Sequence, residues 1–196
     1  MKKVLTTAAI ISAISSASLA ETKGNYMGVD LINTDLSFEK INDVNVNSFN
    51  VEDDSQISAG IYYRHAFNFD GFFVAPGVFF DYSNVELSDS DNDTWNLDYT
   101  YGVNTDLGYD FTGELSAGIN LGIAINEYEV NWDSVNSSSS DRDAAFTYGL
   151  FASYSIIDNL RARIGYEYSE IEIEDPNQNI SEFNKEVFRI GLAYKF

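Results

Sequence analysis

Ten charged residues stand between large apolar neighbours at alternate positions: Asp30, Arg64, Asp81, Asp98, Asp106, Arg161, Arg163, Glu167, Arg189 and Lys195. Successive side chains of an extended strand point to opposite faces. If the strands that carry these ten close on themselves, all ten meet in one enclosed interior. Five bases facing five acids in a confined space have two uses. They can pair and plug the interior, or Arg161, Arg163 and Arg189 can line a narrow anion-selective path.

Three other groups could carry chemistry. His65 is the single histidine and falls on an apolar parity at the end of a strand, beside a short turn. A general base must reach its substrate, and no second histidine is available, so His65 reads as an interfacial side chain and no catalytic residue is assigned. Asp89-Ser90-Asp91-Asn92-Asp93 has the spacing of a calcium loop. Thr94, however, replaces the turn glycine and Thr100 the bidentate glutamate, so the run reads as solvated loop and no metal ligands are assigned. Loose divalent-cation binding by the acidic loops is the alternative. Trp95, Trp132, Tyr109 and Phe111 lie near strand ends and read as a membrane-interface girdle. No cofactor is implied, and the absence of cysteine excludes disulfides and thiol chemistry.

The elements that must position these residues follow from a period of two. Met27, Val29 and Leu31 oppose Gly28 and Asp30 in a first strand over 25–38. Ile57, Ala59, Ile61 and Tyr63 oppose Ser58, Gly60, Tyr62 and Arg64 in a second over 56–67. Val74, Pro76, Val78, Phe80 and Tyr82 give a third over 72–82, with a bulge expected at Pro76 because proline removes a ladder hydrogen bond. The fourth runs from Trp95 through Leu97, Tyr99, Tyr101, Val103 and Leu107 to Tyr109. Further strands carry Leu115–Ile125, Tyr148–Ile156, Leu160–Tyr168 and finally Val187–Phe196. Tight turns are expected near 68–71, 110–113 and 158–159, and long polar loops over 39–55, 83–94, 127–143 and 171–184.

Eight strands, joined alternately by short turns and long loops, predict an all-β fold: an eight-stranded antiparallel transmembrane β-barrel with short periplasmic turns and long extracellular loops. A closed barrel pairs every backbone polar group in lipid, which an open sheet cannot do. Each strand places one glycine on the charged parity: Gly28, Gly60, Gly77, Gly102, Gly118, Gly149, Gly165 and Gly191. An eight-stranded interior is barely wide enough for side chains, so one missing side chain per strand relieves crowding. A soluble barrel of lipocalin type would carry its apolar side chains inside, and the inward arginines argue against it.

The amino end fits export. Met1-Lys2-Lys3 is basic, Val4 to about Ile14 is apolar, and small residues lead to Ala20. Residues 1–20 therefore read as a cleaved signal peptide and 21–196 as one barrel domain. Removing two lysines from a net charge of −20 leaves −22. Nucleic-acid binding needs basic patches that this chain lacks. Its acids concentrate in the four loops, so any loop partner should be cationic or bridged by a divalent metal.

Phe188, Ile190, Leu192, Tyr194 and Phe196 alternate up to a terminal aromatic residue. With the leader, the strand count, the inward glycines and phrases such as Pro76-Gly77-Val78-Phe79-Phe80-Asp81-Tyr82, the chain resembles the small outer-membrane β-barrel proteins of Gram-negative bacteria, the OmpA-like, opacity and Ail/OmpX-type group. That resemblance implies location in the outer membrane among lipid and lipopolysaccharide. It also implies that the closing strand is the signal read by the barrel-assembly machinery. Members with a peptidoglycan-binding domain continue past the barrel, and this sequence stops at Phe196, so that anchoring role is not implied. The function expected is a monomeric, non-enzymatic structural or surface-interaction role, with adhesion or host contact through the acidic loops. A narrow porin-like pore is the alternative, and a lipid-modifying enzyme ranks behind both.

Overall fold

Alternating side chains become the two faces of a wall. The computed structural model describes residues 22–41, 44–45, 56–88, 94–132, 137–174 and 180–196. Its strands are β1 (Gly24–Ile41), β2 (Val44–Asn45), β3 (Gln56–Phe69), β4 (Phe72–Ser88), β5 (Thr94–Asp110), β6 (Leu115–Trp132), β7 (Ser137–Ile157), β8 (Leu160–Glu174) and β9 (Ile180–Lys195). β1 pairs β2 and β3, each strand from β3 onward pairs the next, all antiparallel, and β1 also pairs β9, from Tyr26↔Lys195 to Ile41↔Ser181. The result is a closed barrel of eight strands, β2 being a two-residue strand folded back on the end of β1. The leader over residues 1–20 and the Asp89–Asp93 run lie outside the described residues.

The short turns and both ends of the described chain share one rim. Between β3 and β4, Asp70 and Gly71 both take positive φ (53° and 93°), the backbone of a two-residue hairpin turn that matches strand twist. Asn68 Oδ1 accepts from the Gly71 amide at 3.1 Å.

The outer face is apolar from Phe72 to Tyr82 on β4, and correspondingly around the barrel. Leu31, Ile57 and Leu150 are each more than 60% exposed. Ten residues of tilted strand cover about 25 Å of barrel height, the thickness of an outer-membrane apolar band. Aromatic rings mark both borders. Phe72, Tyr109 and Phe111 pack at the turn rim, with centroids 4.8 and 5.4 Å apart, and Phe80, Tyr82 and Tyr99 at the other border. Tyrosine hydroxyls near the turn rim bond polar neighbours, Tyr154 to Glu114 and Tyr63 to Asn25.

Above the upper border the structure corrects the expected loops. The β6–β7 ladder continues unbroken from Leu115↔Tyr154 to Trp132↔Ser137. Most of 127–143 is therefore strand, adding about 24 Å beyond Ile125 at roughly 3.4 Å per pair. β4, β5, β8 and β9 also extend into the regions expected as loops. The physical reason is an inversion of pattern. In the membrane the outer face is apolar. Above it Asp35, Glu86, Glu170, Glu172 and Glu186 face out, while Leu36, Val85, Leu97, Ala145, Ile171 and Phe183 are buried inside.

Two local expectations also change. Pro76 makes no bulge. It pairs in register with Thr105, and on the β3 side pairing lapses only between Arg64↔Gly77 and Phe67↔Val74, with the register unchanged. Bulges fall instead between Tyr82 and Val85, and between Leu97 and Tyr99. The second turns Leu97 inward, opposite to the parity expected from sequence.

Inward glycines seat specific neighbours. A Cβ on Gly191 would collide with the Asp30 carboxylate and the Val29 carbonyl, whereas one on Gly165 would meet nothing closer than the Leu150 carbonyl at 3.6 Å. Gly191→Ala should therefore cost about 1–3 kcal/mol by overpacking. Gly165→Ala should be neutral or stabilise by up to about 1 kcal/mol through a less flexible unfolded chain. Urea midpoints in lipid vesicles compare the two, and equal losses would contradict the inward seating.

Candidate functional site

The candidate site is the barrel interior, which is filled in three storeys. At the turn rim, Thr22 folds into the mouth. Its amide and hydroxyl donate to the two Asp110 carboxylate oxygens (2.9 and 2.5 Å), and Asn68 Nδ2 donates to Asp110 at 2.9 Å. Arg161 donates from Nη1 to the Thr22 hydroxyl (2.5 Å) and from Nε to Ser155 (2.8 Å).

The middle storey holds two ion-pair groups. Asp106 receives a two-pronged Arg163 guanidinium (2.5 and 3.0 Å), Arg64 Nη1 (3.2 Å) and the Asn120 amide (2.6 Å). Arg189 forks onto Asp81 (3.0 and 2.7 Å), reaches Glu167 at 3.0 Å, and lies 3.9 Å from Asp30. Planar guanidinium forks suit carboxylates, which is why arginine rather than lysine fills these seats. Rings cover the guanidinium faces: Arg64 lies over Tyr62 and Arg163 over Phe151, 4.4 and 4.2 Å from the centroids.

Above them, Lys185 donates to Thr100 (2.6 Å) and Asn126 (2.8 Å). Leu36, Val85, Leu97, Ala145, Ile171 and Phe183 then close the upper interior as an apolar collar.

Residues 6–196 match the family model for the outer membrane protein beta-barrel domain. This chain belongs to that family. The barrel lies in the outer membrane, as the apolar belt and its two aromatic borders require. No curated protein sequence matches it. Among solved structures it is similar to Ail of Yersinia pestis, at a TM-score of 0.60 and 13% identity over 89% of this chain and 100% of that one. It is also similar to Neisserial surface protein A (0.58, 14%, 89% and 98%) and to OprG from Pseudomonas aeruginosa (0.56, 14%, 91% and 99%). Likeness at such identity concerns the fold.

Within this outer-membrane barrel, eight of the ten charges picked out by parity come together: Asp30, Arg64, Asp81, Asp106, Arg161, Arg163, Glu167 and Arg189 are all buried. Two do not join them. Asp98 sits on the Leu97/Tyr99 bulge, half-buried, and makes no ion pair among the described residues. Lys195 is half-exposed at the turn rim, where it pairs across from Tyr26. Sequence reasoning missed Lys185 and Asp110, both buried. Each continues the parity of a residue already assigned, Arg189 and Asp106, but Asp110 fell in an expected turn and Lys185 between the last expected loop and the closing strand. With them, the buried charges of the described residues number five bases and five acids, so the interior is neutral.

The other candidates lie outside this interior. His65 stands at the turn rim, with Nδ1 2.7 Å from Asn25 Oδ1 and its ring edge-on to Phe67 at 4.5 Å. Phe188, Ile190, Leu192 and Tyr194 on β9, and Phe196 just past its end, all lie exposed on the outer side. The Phe196 amide donates to the Asn25 carbonyl at 3.1 Å, joining the two ends of the described chain.

Proposed function

We propose that this barrel is a sealed, monomeric outer-membrane protein that acts as a structural element and a surface for contact, not as a channel or an enzyme. One observation carries the reading: the interior is occupied at every level, from the Thr22–Asp110 contact through the ion pairs to the apolar collar. Interaction then falls to the exterior. The strand extensions lift Asp35, Glu86, Glu170, Glu172 and Glu186 above the membrane on a continuous β-scaffold. Like charges so placed act over about 8 Å at physiological salt and select basic or metal-bridged partners.

Ail has been crystallised with sucrose octasulfate, a heparin analogue. The acidic exterior here favours the opposite charge, an extracellular or host partner that is basic. On this reading the leader over 1–20 is removed after export. The outward β9 row, Phe188, Ile190, Leu192, Tyr194 and Phe196, is what the assembly machinery reads.

Purified protein in a planar bilayer should give no steady conductance, and its binding to a polylysine surface should weaken as salt rises. A stable, large conductance would replace this reading with the narrow-pore one. Binding to polylysine that is indifferent to salt would remove the acidic exterior as the recognition element.

A further inference from the structure

We propose that a small cavity in the lower interior binds one monovalent anion of chloride size. The cavity has a volume of about 40 Å³ and is lined by Arg64, Arg161 and Arg163 together with Tyr26, Tyr62 and Ser153. One water occupies roughly 10–15 Å³ of such space, so the cavity has room for one small ion and one or two waters.

Charge selects the ligand. Three guanidiniums line the cavity, with Asp106 among them and Asp110 beyond Thr22. Asp106, the carboxylate of the lining, is already engaged by Arg163, Arg64 and Asn120, so the cavity wall offers a cation no free carboxylate.

The donors are incompletely used. Arg161 is buried, yet among the described residues it makes no ion pair, because Thr22 stands between it and Asp110. Arg64 is 94% buried, and its Nε has no hydrogen-bond partner. A buried charge without a counter-charge in contact is strongly disfavoured. The rings of Tyr62 and Phe151 cover guanidinium faces, so only in-plane N–H groups remain to bind. An anion held by those edges gives Arg161 its counter-charge and Arg64 Nε its acceptor.

Thr22 lies across the turn-rim mouth of this cavity, so the anion is supplied during folding. The protein is therefore refolded into phosphatidylcholine vesicles in sodium chloride or in sodium gluconate at equal ionic strength, gluconate being too large for the cavity. The urea midpoint should rise with the logarithm of chloride concentration above Kd, the folded-to-unfolded ratio increasing about elevenfold at ten times Kd. Arg161→Gln should abolish the response, and Arg142→Gln, an exposed change on the extracellular strands, should leave it intact. Crystals of unaltered protein refolded in bromide should show an anomalous peak between Arg64, Arg161 and Arg163, a readout that holds even if Arg161→Gln fails to fold. Identical midpoints in the two salts, or bromide found at the surface as an adventitious ion only, overturns the proposal. Neither outcome bears on conductance, so the sealed-barrel reading stands or falls separately.

Discussion

Arg189→Met should lower the stability of the folded barrel by about 3–5 kcal/mol, read as a fall in the urea midpoint in lipid vesicles. Arg189 is the common partner of Asp81, Glu167 and Asp30. Methionine fills much of the same volume, so the loss isolates charge from packing. Three carboxylates would remain in an interior where Arg64 and Arg163 are engaged by Asp106 and Lys185, above them, bonds Thr100 and Asn126. Removing one partner of a buried pair is expensive because the other charge is stranded. Two further variants separate this cause from mere crowding. Arg189→Lys should recover part of the stability, since a point charge cannot fork onto Asp81. Adding Asp81→Asn and Glu167→Gln to Arg189→Met should recover more, since fewer unpaired charges remain. If the triple variant is no more stable than Arg189→Met, the ion pairs are not what the position contributes.

The trunk of this barrel was legible because lipid enforces a strict rule on the outer face. Met27, Val29 and Leu31 can share a parity for no other reason so consistently repeated, and their intervening residues must then face inward. From this rule alone Arg64, Arg161, Arg163 and Arg189 could be placed inside. The rule fails above the membrane, where water replaces lipid and the apolar parity switches to the inner face. Ile171 and Phe183 still alternate with polar residues, but in the opposite sense, and a search for outward apolar residues reads them as loop. Bulges are illegible for a different reason. Leu97 suits either face, so nothing in its neighbours betrays that one extra residue turns it inward. Chain ends were hidden too, since Thr22 acts through contacts 88 and 139 residues away.

One pair of substitutions shows how packing overrides parity. Leu121→Arg faces lipid and should cost about 2–4 kcal/mol at mid-membrane. Asn120→Arg shares the inner face with the arginines, which by parity alone would make it mild. In the structure Asn120 is 1% exposed and donates to Asp106. A larger cation there must displace Arg163 or Arg64 from that carboxylate. Inner-face tolerance depends on whether a side chain already holds the space, not on which way it points.

Opening the collar alone should weaken the barrel without making it conduct. Phe183 and Ile171 are direct partners across β8 and β9 and lie in the upper apolar cluster. Phe183→Ala should cost about 3–5 kcal/mol, the usual loss for a buried aromatic. Adding Ile171→Ala should cost less than its separate value, because the two share one cavity. Both variants admit water to the upper interior, where it meets Lys185 and then the Arg189 fork. Ions would still have to cross two desolvated layers of engaged guanidiniums and carboxylates, so planar bilayers should remain silent. Conductance should appear only when the Arg189 fork and the Arg163–Asp106 contact are removed as well. If the collar variant alone conducts, the charged storeys leak and the seal is purely apolar. If it conducts no current and loses no stability, the upper cluster is not a packed core, and the extended strands stand above the membrane by pairing alone.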